Sequence, residues 1–196
     1  VLADRLECPV LAGTCTYGAV RPDPGTVRCT GVGDLTVGPP AGGASALAER
    51  VGRAFEAASV VASVADDMPA RLVEKLAVNA GINATTALAR LENGAVLGGD
   101  AGALAGAAAR ETAAVARAEG IDLSDRAAER ALESVAADTA ANTSSMHQDV
   151  LAERRTEVDA INGYVADRAD ELGVDAPVNR TLTRLLRAWE AGRGLR

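Results

Sequence analysis

Along the first forty residues, short β-prone runs are separated by Gly and Pro, and from Asp66 onward the apolar positions recur at helical spacing. Val10–Tyr17, Val27–Thr30 and Asp34–Val37 read as strands, with Arg21-Pro22-Asp23-Pro24-Gly25 as a turn between the first two. Ala44 to Ala58 is helical, and Ser59 to Val64 is a short apolar strand that would close the sheet. Asp67 and Pro69 mark the start of a helix over Ala70–Ala89, because Pro is tolerated in a first turn. A second helix is predicted from Ala101 to Glu119, stopping at Gly120, and a third from a Ser124 cap to Ala137. Ser145 with Gln148 suggests a capping box opening a long helix that reaches Leu172 and stops at Gly173. Pro177 opens a last helix containing Trp189. The fold class is an α/β remnant, the end of a Rossmann-like sheet over 1–65, followed by an all-α domain over 66–196.

Composition adds the character of the core. Of 196 residues 48% are hydrophobic, enough to bury a core, yet aromatic residues are confined to Tyr17, Phe55, Tyr164 and Trp189. Alanine dominates, so the helices should approach closely through small side chains. A formal net charge of -7 argues against a nucleic-acid surface, which needs clustered cations. There is no run of eighteen apolar residues and no basic, apolar, small-residue leader, and the expectation is a cytoplasmic protein without a membrane partner. Cys8, Cys15 and Cys29 lack metal-ligand spacing, so no metal site is expected and buried reduced thiols are.

One of the 20 basic residues is a lysine, Lys75. Arg stays protonated, whereas a partly desolvated Lys can give up a proton, so among the basic side chains only Lys75 suits general acid or base work. A GC-rich or halophilic composition also depletes Lys, and a structural ion pair is the plain alternative. Asn79 and Asn83 follow Lys75 at i+4 and i+8, and steps of four advance only about 40° around a helix, so the three line one strip. Such a strip suits an oxygen-rich ligand, although Asn in helices often bonds neighbouring backbone or water.

The segment Lys75-Leu76-Ala77-Val78-Asn79-Ala80-Gly81-Ile82-Asn83, with Thr85-Thr86-Ala87-Leu88, resembles the ketopantoate reductase (2-dehydropantoate 2-reductase) family. So do Ser144-Ser145-Met146-His147-Gln148-Asp149 and Arg155-Thr156-Glu157-Val158-Asp159-Ala160-Ile161-Asn162-Gly163, in the same order and separation. The likeness extends to Leu11–Ala19, Pro24–Val27 and Gly173–Asn179, and thus covers most of the chain. It implies NADP(H)-dependent reduction of 2-dehydropantoate to (R)-pantoate, with Lys75 as general acid and Asn79, Asn83, Ser145 and Glu157 holding the substrate. For Glu157 the plain alternative is a surface pair with Arg154 or Arg155. His147 has no role in the resemblance and is expected on a helix face near the pocket mouth. Ser145 lacks the surroundings of a nucleophile.

A nicotinamide-binding fold carries a glycine fingerprint after its first strand, and no G-x-G-x-x-G occurs in these residues. The chain opens at Val1, in what reads as a Leu-rich helix or loop, so a preceding part of the nucleotide domain is expected and the cofactor-binding residues are unknown. The chain alone is expected to be inactive. Two other readings stay open: a relative that reduces another 2-oxo acid, and a non-catalytic helical module that forms a homodimer through its Ala-rich faces.

Overall fold

The computed structural model describes residues 5–20, 22–31 and 33–196. Its contacts divide the chain into two compact units, 1–72 and 73–196.

In the first unit, β1 (Ala12–Cys15), β4 (Leu35–Gly38) and β5 (Ala62–Val64) form a sheet in the order β1-β4-β5. β1 runs antiparallel to β4, and β5 runs parallel to it with Leu35 opposite Ala62 and Val37 opposite Val64. Parallel neighbours require a crossover, which α1 (Ala46–Ala57) supplies. Its cap is Ser45, whose side chain accepts from the Ala48 N–H at 3.2 Å. β2 (Gly18–Val20) and β3 (Arg28–Gly31) make a separate antiparallel ribbon; β2 falls inside no predicted strand. Between them the turn closes from Thr26 N to Asp23 O at 3.1 Å, with Pro24 next to Gly25 at φ +85°, a conformation suited to glycine. Arg21, the first residue of the expected turn, lies outside the described residues, as does the start of the chain at 1–4.

The expectation of buried thiols fails. Cys8, Cys15 and Cys29 are exposed, because the short strands and loops that carry them leave these positions uncovered.

Helix α2 (Met68–Ala89) runs from the first unit into the second. The second unit continues with α3 (Gly99–Ala118), α4 (Asp125–Asp138), α5 (Ser145–Leu151), α6 (Tyr164–Leu172) and α7 (Pro177–Ala191), with a 3-10 turn at Asn93–Leu97 and a π turn at Asp159–Gly163. α2 serves two apolar clusters. Ala77, Val78 and Ile82 pack with Ala105, Ala109 and Ala113 of α3 and with Ala128 and Leu132 of α4. Ala80, Ala84 and Ala87 pack with Met146 and Val150 of α5, Val158, Ile161, and Leu182 and Leu186 of α7. The fold is thus a short mixed sheet followed by a mostly helical region, as the hydrophobic pattern implied.

The predicted long helix from Ser145 to Leu172 is broken. α5 ends after seven residues, Glu153 adopts φ +49°, and a helical path resumes only at the π turn. Thr156 explains the break, since both its N–H (2.8 Å) and its hydroxyl (2.6 Å) donate to Glu190 Oε1 at the end of α7. That long-range partner outcompetes the local helix and leaves no trace in apolar spacing. The capping prediction also shifts by one residue: Ser144, not Ser145, is the cap of α5, its side chain accepting from His147 N at 3.2 Å. Elsewhere the signals hold, with Ser124 capping α4 and Gly173, at φ +69°, ending α6.

Gly81 marks the closest approach of α2 to its neighbours. A Cβ there would lie 2.3 Å from Leu132 Cδ1 and 2.7 Å from the Ala105 carbonyl oxygen, and the latter, being backbone, cannot swing away. Helix propensity favours Ala over Gly by about 1 kcal/mol, but overpacking typically costs about 1–3 kcal/mol. Gly81→Ala should therefore lower the urea midpoint of the second unit, and a raised midpoint would show that the helices can separate freely.

Candidate functional site

The polar strip lies on α2, and burial deepens along it. Lys75 is exposed, Asn79 half-buried and Asn83 buried at 7% exposure. Its apolar flanks fill the two clusters, so the strip keeps its orientation without the polar groups having to fix it.

Two hydrogen-bonded ties bring the other candidate segments against α2. Thr86 Oγ1 donates to Ile82 O at 2.8 Å and lies 2.8 Å from Ser144 Oγ. Because the one Thr86 hydroxyl hydrogen goes to Ile82 O, Ser144 Oγ donates to Thr86 while accepting from His147 N, and both hydroxyls are satisfied. This tie fixes the N-terminus of α5, where Ser145 is the first helical residue and is exposed. On the other side, Asn162 Nδ2 donates to Ala80 O on α2 and to Asn179 Oδ1 on α7, both at 2.9 Å. Asn179 Nδ2 in turn donates to Ala108 O on α3 at 3.0 Å and to Glu111 Oε2 at 2.8 Å. Glu111 also accepts from the N–H groups of Val178 (2.8 Å) and Asn179 (2.9 Å), placing a carboxylate at the N-terminus of α7, whose cap position is an alanine. The π turn that follows Glu157 is held to α2 by this ladder, and Glu157 itself is exposed.

The expected surface pairs of Glu157 are redirected: Arg154 bonds Asp149 at 2.9 Å and Arg155 bonds Asp159 at 3.2 Å. Asp159 gathers Arg155, Arg187 (2.8 Å) and Arg196. Burial pushes its carboxyl up, but hydrogen bonds from Arg196, Arg187 and Arg155 outweigh that and hold it at about 2, below its ordinary 3.8.

His147 is turned into the core rather than lying on an exposed helix face. It is buried at 6% exposure, its Nδ1 lies 3.0 Å from the Leu91 carbonyl, and a carbonyl only accepts, so Nδ1 carries a hydrogen and donates it. Met146 and Val150 on the same short helix enter the core and take the ring inward with them. Sequence reasoning missed Thr86, Ser144, Glu111 and Glu190 as structural partners. Only α7 gave a local signal, since Pro177 after Ala176 leaves N–H groups that need an acceptor from elsewhere. Among the described residues no three His, Cys, Asp or Glu side chains are grouped to hold a metal, and no helix is long and apolar enough to cross a membrane.

A short sheet with a β-α-β crossover is followed by helices that bury much of one polar-striped helix. The family model for the ketopantoate reductase PanE/ApbA C terminal matches residues 67–190, and the chain belongs to that family. The 2-dehydropantoate 2-reductase of Halobacterium salinarum is 41% identical over 189 residues, which are 95% of this chain and 62% of that protein. The chain therefore spans less than two thirds of the length of that curated relative. The crystal structure of a PanE/ApbA family ketopantoate reductase from Ralstonia eutropha JMP134 superimposes with a TM-score of 0.88 at 31% identity, covering 98% of this chain and 63% of that one. D-mandelate dehydrogenase, solved with NADH and anilino(oxo)acetate, gives the same TM-score at 24% identity over 95% of this chain and 61% of that one, a likeness of fold alone.

The Asp159 cluster makes a pH prediction. A carboxylate held below its ordinary value contributes stability that is complete above pH about 4 and lost as pH falls toward about 2. In thermal melts across that window the wild type should lose Tm more steeply than Asp159→Asn; parallel curves would mean that the three arginines do not stabilise the charged form.

Proposed function

We propose that this chain is the substrate-side part of an NADP(H)-dependent 2-dehydropantoate 2-reductase, with residues 1–65 the end of the dinucleotide-binding domain and 66–196 the catalytic helical domain. The observation that carries the reading is the strip on α2: one ammonium exposed at its start, a half-buried amide one turn on and a buried amide one turn further. Family membership supports the same assignment.

In this reading Lys75 is the general acid. As hydride reaches C2 of the 2-oxo acid, negative charge develops on the carbonyl oxygen, and the proton leaves Lys75 Nζ for that oxygen. The product is the C2 alcohol and Lys75 is left neutral; its exposure gives water access to reload it. Asn79 and Asn83 present amide donors to the substrate oxygens, Ser145 adds a hydroxyl from the N-terminus of α5, and Glu157 completes the pocket as an acceptor for the substrate hydroxyl. NADPH supplies the hydride when bound. These residues contain no glycine fingerprint, and none of them is assigned to the cofactor. A cytoplasmic location follows from this role.

The test is NADPH oxidation with ketopantoate by the full-length protein, wild type against Lys75→Ala, alongside a panel of other 2-oxo acids. Ketopantoate should be the preferred substrate, and Lys75→Ala should lower kcat by about 100-fold or more while remaining folded. Turnover that survives Lys75→Ala would remove the acid role, and preference for another 2-oxo acid would reassign the substrate.

A further inference from the structure

Glu190 is fully buried, yet it lies far along the chain from the strip and the proposed chemistry does not use it. Its Oε1 accepts from Thr156 N at 2.8 Å and from Thr156 Oγ1 at 2.6 Å, and its Oε2 accepts from Arg196 Nε at 2.5 Å. Thr156 Oγ1 also accepts from Val158 N at 3.3 Å. One carboxylate thus fixes the backbone N–H immediately before Glu157 directly and the one immediately after it through a single hydroxyl. The neighbours Thr156 and Val158 are buried at 6% and 0% exposure, while Glu157 between them is exposed. A buried carboxylate is tolerated only with its acceptor sites filled, and here charge-assisted donors fill them.

We infer that Glu190 is a positioning residue: it clamps the Thr156–Val158 backbone and thereby sets the direction in which Glu157 reaches the substrate. The clamp interrupts what would otherwise be one helix from Ser145 to Leu172, and a continuous helix would turn Glu157 elsewhere. The inference rests on the proposed role of Glu157, and Glu190 itself touches no substrate.

The test uses the full-length protein and two readouts. The first is a mutant cycle: Glu190→Ala should raise KM for ketopantoate about tenfold with kcat changed less than about threefold, but by less than about twofold when Glu157→Gln is already present. Glu190→Gln keeps an oxygen acceptor for Thr156 and should hold KM within about threefold of wild type. Equal effects with and without Glu157→Gln, or an unchanged KM in Glu190→Ala, would overturn the inference. The second readout needs no activity: amide exchange at Thr156 and Val158 should quicken about tenfold or more in Glu190→Ala, and at Val158 in Thr156→Val. If the wild type fails to reduce ketopantoate, the proposed function falls, and the exchange rates still judge the clamp; rates unchanged from wild type would overturn it.

Discussion

The second unit depends on the burial of α2 between two apolar clusters. A helix that must pack on both sides needs small residues, and α2 provides Ala77, Ala80, Gly81, Ala84 and Ala87, all buried. Close approach of α3 and α4 follows, as does the shortage of large rings in the core, because space between the helices is set by methyl groups. Burial also orients the polar strip. A helix locked by its apolar faces presents its remaining strip, Lys75 to Asn83, in a fixed direction, so the amides need not be held by side-chain partners of their own.

Around this helix the loops are placed by a few buried polar contacts. The amides of Asn162 and Asn179 link Ala80 on α2 to Ala108 on α3 through successive hydrogen bonds, crossing four elements. Each contributes modestly when made, but an unpartnered buried amide or carboxylate costs about 1–3 kcal/mol or more, so the penalty for misplacing a segment is what gives the arrangement its specificity. Thr86 with Ser144, and Thr156 with Glu190, do the same for the segments that carry Ser145 and Glu157. The electrostatic cluster at Asp159 lies beside them and joins the π turn to α7 through Arg187.

Local signals in the chain were sufficient for most elements. Ser124, Gly173 and Pro177 mark helix ends through backbone chemistry that operates within a few residues, and the structure places ends at those points. The Lys75 strip was equally visible, being a property of spacing on one helix. What stayed hidden was determined at a distance. Nothing near Thr156 announces Glu190, 34 positions on, and so the break in the predicted long helix was missed. His147 looked peripheral because a lone histidine carries no sign of burial; its partner is the Leu91 carbonyl, 56 positions earlier. The thiols were misjudged for the opposite reason, since Cys at an apolar position implies a core that those short strands do not provide.

The central claim is that the α2 strip receives the oxygen atoms of a 2-oxo acid. A crystal structure of the full-length protein with pantoate bound addresses it most directly. The account predicts the C2 hydroxyl oxygen within hydrogen-bond reach, about 2.6–3.2 Å, of Lys75 Nζ, with Asn79 or Asn83 on the remaining oxygens and Glu157 on the substrate hydroxyl. Pantoate bound away from α2, or seated with its carboxylate on Lys75 and its C2 carbon turned from it, would contradict the claim.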